Sequence, residues 1–85
     1  MSAGAAGVTL YGRPECHLCD EARAEIARQR EQLPPFELIE IDIDGDEGLL
    51  SEFLERIPVI EVEGAIVSEL EFDPEAFRVA LLSSQ

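Results

Sequence analysis

Most of the nucleophilic chemistry open to this 85-residue chain lies in four consecutive positions, Cys16-His17-Leu18-Cys19, which hold both cysteines and the single histidine. Two thiols at this spacing can cycle between dithiol and disulfide, contribute to a metal site, form an inert crosslink, or stay unreactive. A structural zinc wants four Cys/His ligands. The chain offers three, with His17 inside the pair and no second such pair, so a zinc site would need carboxylates. Haem attachment needs histidine directly after the second cysteine, where Asp20 stands. A purely structural disulfide over so short a loop stabilises little. Thiol–disulfide exchange fits best, with metal binding and unreactive thiols as the alternatives.

Position strengthens that reading. Val8-Thr9-Leu10-Tyr11 is a short β-prone run closed by Gly12 and Pro14, and a helix is expected from Cys16. Unpaired N–H groups and the positive dipole end at a helix start stabilise an anion, and the thiolate is the reactive form of cysteine. Cys19 follows one turn later on the same side, within disulfide reach. One sulfur would then attack from an exposed end, and the other would sit deeper and resolve the mixed disulfide. Arg13 and a protonated His17 would favour a Cys16 thiolate; Glu15, Asp20 and Glu21 oppose it. Exposed charges beyond about 8 Å are largely screened at physiological salt, so a modest depression below the free value of about 8.5 is expected.

The remaining elements must position this segment. Leu18, Ala22 and Ile26 recur every four residues along the first helix, with charged residues opposite. Pro34-Pro35 stops it. Phe36 to Ile43 reads as a strand, with Ile39, Ile41 and Ile43 expected on a buried face and Glu40 and Asp42 on a wet one. Asp44-Gly45-Asp46 is a turn, and Asp46 caps a second helix whose stripe is Leu49, Leu50, Phe53, Leu54 and Ile57. Pro58 ends it. Val59 to Val62 and Ala65 to Leu70 form a hairpin around Glu63-Gly64. Asp73-Pro74 opens a last helix that faces Ala76, Phe77, Ala80 and Leu81 inward. The order is β-α-β-α-β-β-α, an α/β chain with a mixed sheet. Asp42, Asp44 and Asp46 with Gly45 fail the register of a calcium loop, because Ser51 occupies the twelfth position.

Composition removes several function classes. Hydrophobic residues make up 46%, which is normal for a folded domain, and the length suits one domain. Nineteen acidic residues face six arginines, with no lysine, for a net charge of −13. Such a surface has no general basic field for nucleic acid or anionic lipid. No run of 18 apolar residues is present for a membrane span. Residues 1–7 do not resemble a secretory signal and are expected to be a flexible tail; 8–82 form the domain and 83–85 a C-terminal tail. A cytoplasmic monomer is expected.

Tyr11-Gly12-Arg13-Pro14-Glu15-Cys16-His17-Leu18-Cys19 resembles the active-site segment of glutaredoxins and short bacterial glutaredoxin-like redoxins. Arg56-Ile57-Pro58-Val59 is similar to that family's second signature, and the resemblance spans roughly residues 8–82. It implies a thioredoxin-like, three-layer sandwich with a mixed four-stranded sheet. It further implies Cys16 as nucleophile, Cys19 as resolving cysteine and a cis Pro58 beside the sulfurs. Ile57 would offer backbone groups to the substrate, and Tyr11, Arg13, Pro14 and His17 would shape the site. The substrate would be a protein disulfide or a low-molecular-weight thiol adduct. No cofactor would be bound; a small thiol or a reductase would supply electrons. The alternative is a non-enzymatic module that holds a metal, an iron–sulfur cluster or a partner through the same cysteines. Typical glutaredoxins carry Gly-Gly and a polar-acidic pair before the last helix. Here Ser68-Glu69-Leu70-Glu71 stands instead, which argues against glutathione.

Overall fold

The computed structural model describes residues 5–84. The elements are β1 (Ala6–Gly12), α1 (His17–Gln29), β2 (Phe36–Asp42), α2 (Glu47–Phe53), β3 (Val59–Val62), β4 (Ala65–Glu69) and α3 (Pro74–Ser83). Single 3-10 turns at Arg30–Gln32 and Ile43–Gly45 follow α1 and β2. The sheet order is β2-β1-β3-β4. β1 pairs parallel with β2 and antiparallel with β3, and β3 pairs antiparallel with β4. The expected β-α-β-α-β-β-α order and mixed four-stranded sheet are both present.

Side-chain choice sets the helix starts. Asp46 accepts the Leu49 N–H at 3.0 Å, and Asp73 accepts the Ala76 N–H at 3.1 Å with Pro74 opening α3. Each satisfies an N–H that the helix leaves free. One face of the sheet packs Val8, Leu10, Phe36, Ile60 and Val62 against Ala22 and Ile26 of α1 and Phe77 and Leu81 of α3. The other face is thinner: Ile43, Phe53 and Val59 are buried there, with Tyr11, Leu49, Leu50 and Ile57 packed around them.

Several expectations need correction. β1 begins at Ala6, which is buried, so the tail expected over residues 1–7 loses its last two residues to the sheet. Residues 1–4 and Gln85 lie outside the described residues. Ser83 belongs to α3 and Ser84 caps it, so the expected C-terminal tail is shorter too. Ile43 leaves β2 for the 3-10 turn. Ile39 is 56% exposed instead of buried, because it lies on the thin face, beyond the cover of seven-residue α2. Leu18 is exposed, and the inward stripe of α1 is Cys19, Ala22 and Ile26. Leu54, at the end of α2, is also exposed.

Candidate active site

Cys16 is the N-cap of α1, and its Sγ accepts the Cys19 N–H at 3.1 Å. A sulfur in that place faces the free N–H groups of the first turn. Cys16 and Cys19 are joined as a disulfide, with Cα atoms 5.2 Å apart. The two sulfurs differ in access: Cys16 is half-buried, whereas Cys19 is fully buried.

Gly12 makes room for the buried sulfur. A Cβ on Gly12 would stand 3.0 Å from Cys19 Sγ and 3.3 Å from Leu10 Cδ2. Glycine at this strand end is therefore a packing requirement. In the sequence Gly12 reads only as a strand stop, because its contact with Cys19 joins a strand to a helix and leaves no local signal. Glu15 takes φ 60°, in the left-handed region, and so turns the loop just before Cys16.

Pro58 is brought to the same end. β1 and β3 pair Leu10 with Ile60 and Tyr11 with Val59, and continuing that register sets Pro58 opposite Gly12. The Ile57–Pro58 peptide bond is cis, and Pro58 is fully buried. The Leu70 N–H donates to the carbonyls of Arg56 at 3.0 Å and Pro58 at 3.1 Å, which ties the segment after β4 to the entry of β3. Ile57 packs on the thin-face cluster.

The other candidate residues are spread around this end. Tyr11 lies on the face opposite Cys19, since neighbours in a strand point to opposite sides. Its ring packs on Phe53 at 4.8 Å, and its hydroxyl donates to Glu61 at 3.3 Å. Burial first, and then the Glu61 carboxylate, push that hydroxyl above its usual value. Tyr11 thus braces the sheet rather than lining the buried sulfur. Arg13 turns outward to Asp44, with 3.1 Å between Nε and Oδ1. Pro14 is exposed in the loop. His17 is exposed, with Nε2 2.8 Å from Glu21. Asp42 and Asp46 accept local N–H groups, so two of the three aspartates considered for calcium act as caps. Among the described residues, no group of three or more His, Cys, Asp or Glu stands in an arrangement that could hold a metal ion. No helix among them is long and apolar enough to cross a membrane.

Comparison with known proteins places this geometry. The family model of the glutaredoxin-like domain (DUF836) matches residues 7–82. The solution NMR structure of protein Ne2328 from Nitrosomonas europaea is similar, at 29% identity and a TM-score of 0.82, covering 95% of this chain and 96% of that one. The X-ray structure of protein XcR50 from X. campestris is similar at 32% identity and a TM-score of 0.73, covering 92% and 99%. No curated protein matches the chain.

Proposed function

From the premise that the chain belongs to the glutaredoxin-like (DUF836) family, with a thioredoxin-like fold, we propose that it is a small thiol–disulfide oxidoreductase. The observation that carries this reading is the unequal access of two bonded sulfurs at one helix start: Cys16 half-exposed, Cys19 sealed beneath it.

In the reduced protein the Cys16 thiolate attacks one sulfur of a substrate disulfide. The substrate S–S bond breaks, its other sulfur leaves as a thiolate and takes a proton, and a mixed disulfide remains on Cys16. The Cys19 thiolate then attacks Cys16 Sγ and expels the second substrate thiolate. Two electrons have passed to the substrate, and the Cys16–Cys19 disulfide is restored. A small thiol or a flavin-dependent reductase returns the pair to the dithiol. The free N–H groups of α1 favour the attacking thiolate, as in other cysteines at helix N-termini. The substrate class is a protein disulfide or a low-molecular-weight thiol adduct.

Trapping tests the roles. Cys19→Ser incubated with a disulfide-linked peptide should accumulate a covalent adduct on Cys16, detected by intact mass. Cys16→Ser should accumulate none, and the wild type should turn over with dithiothreitol as reductant. Equal adduct on both variants would reverse or abolish the assignment.

A further inference from the structure

We infer that the groove that begins at Leu18, the residue before Cys19, takes a cationic polypeptide segment, so that the preferred substrates are disulfides flanked by basic residues. This rests on the exchange reading above and names its substrate class.

The groove has a volume of about 550 Å³ and lies between α1 and the start of α3. It opens at Leu18, between the two cysteines, and follows α1 as far as Arg28. At 1.5 Å per helical residue that is about 15 Å, the span of about four or five extended residues. Leu18, Ala22 and Phe72 give it an apolar floor, and Glu21, Glu25 and Glu71 rim it. Arg28 is the one arginine in its lining and pairs with Glu25, which also accepts from Gln29; Glu21, 2.8 Å from His17, and Glu71 are the rim carboxylates with no arginine partner among the described residues.

The features that would hold an anion are occupied. The N-terminal N–H groups of α3 point toward this end, and Asp73 fills that place with its own carboxylate, accepting the Ala76 N–H. The Asp73 N–H goes to Ser68 Oγ at 3.0 Å, and the Leu70 N–H goes to two carbonyls. Glu69 is held by Arg56 at 2.6 Å, so neither side chain is free to receive a ligand. Arg13, Arg23 and Arg78 are likewise paired with carboxylates, and Arg30 stacks over Phe36. A dicarboxylate thiol such as glutathione finds carboxylates where it needs donors. A basic side chain two to four residues from a substrate cysteine finds them where it needs partners.

Two disulfide-linked peptides that differ only in the flanking residues, arginine in one and glutamate in the other, test this, with oxidised glutathione as a third substrate. At low ionic strength the wild type should reduce the arginine peptide about tenfold faster in kcat/KM than the glutamate peptide, a modest value for electrostatic steering. Oxidised glutathione should be the poorest of the three. High salt should bring the peptide ratio towards one. Glu21→Gln with Glu71→Gln should lower the ratio about threefold while circular dichroism stays unchanged. Glu47→Gln, on the far side of the sheet, should leave the ratio where it was. Equal rates for the two peptides, or a ratio that the double variant does not move, would overturn the inference while leaving exchange intact. Failure to reduce any of the three would overturn the exchange reading itself.

Discussion

The two faces of the sheet are built to different depths. Under α1 and α3, Val8, Leu10, Ala22, Ile26, Ile60, Phe77 and Leu81 are at most 1% exposed, and Phe77 meets Phe36 and Phe72 edge-on at 5.6 and 5.3 Å. Under α2 the buried set is Ile43, Phe53 and Val59, while Ile39 and Ile66 stand 56% and 41% exposed. The difference follows from cover: two helices of 13 and 10 residues on one side, and one of seven on the other. Cys19 is sealed at the deep face, and the half-buried Cys16 sits at its rim. On the proposed exchange reading, the resolving thiol is thus the one held by the deeper packing.

The comparison can be broken by truncation. Phe77→Ala should cost about 4 kcal/mol, near the middle of the range for buried phenylalanine. Against a typical stability of about 5–15 kcal/mol, that leaves a domain of this size close to unfolding. Phe53→Ala, beside the open part of the sheet, should cost about 2–3 kcal/mol because its site can relax or hydrate. Denaturant titration reads both, and equal losses would erase the distinction between the faces. Gly12→Ala sharpens it: the new methyl meets Cys19 Sγ at 3.0 Å, and overpacking of this kind costs about 1–3 kcal/mol. That loss should be accompanied by a shifted Cys16–Cys19 midpoint; an unchanged midpoint would show that the deep face does not hold the sulfur. Ile39→Thr on the thin face should stay within about 0.5 kcal/mol, as for other exposed positions.

The smallest effect is in pH. Tyr11 holds its proton more tightly in the folded chain than in the unfolded one. Its contribution is fully present below about pH 10, the ordinary tyrosine value, and is lost as pH rises through the higher folded value. Tyr11→Phe should remove that part of the alkaline decline in Tm. Tyr11 is the chain's one tyrosine and there is no tryptophan, so tyrosinate absorbance reads this group directly. A midpoint at or below the free value would contradict the burial behind Phe53 and Glu61.

Much of this was legible in the sequence because local chemistry decides it. Asp46 and Asp73-Pro74 mark helix starts by their own hydrogen bonding, and Glu63-Gly64 marks the hairpin. The placement of Cys16 at a helix start followed from Gly12 and Pro14 breaking the strand before it. The misses share a cause in tertiary cover. Alternation identifies β2 as a strand, but it cannot tell how far a short helix across the sheet will extend, so it sets Ile39 in a core that does not reach it. An every-four stripe of apolar residues alone sets Leu18 inward, where the folded helix exposes it. Cys19, a small apolar side chain when sealed from water, takes that place one residue later. The Gly12–Cys19 contact joins a strand to a helix, and no local pattern encodes it.

The measurement that bears most directly on the proposed chemistry is the reduction midpoint of the Cys16–Cys19 pair, followed by thiol trapping in a graded dithiol buffer. A reversible two-electron midpoint between about −180 and −270 mV, the range of working redoxins, is the expected result. A pair that forms no intramolecular disulfide at any poise, or forms one only far outside that window, would contradict the assignment of these two cysteines to thiol–disulfide exchange.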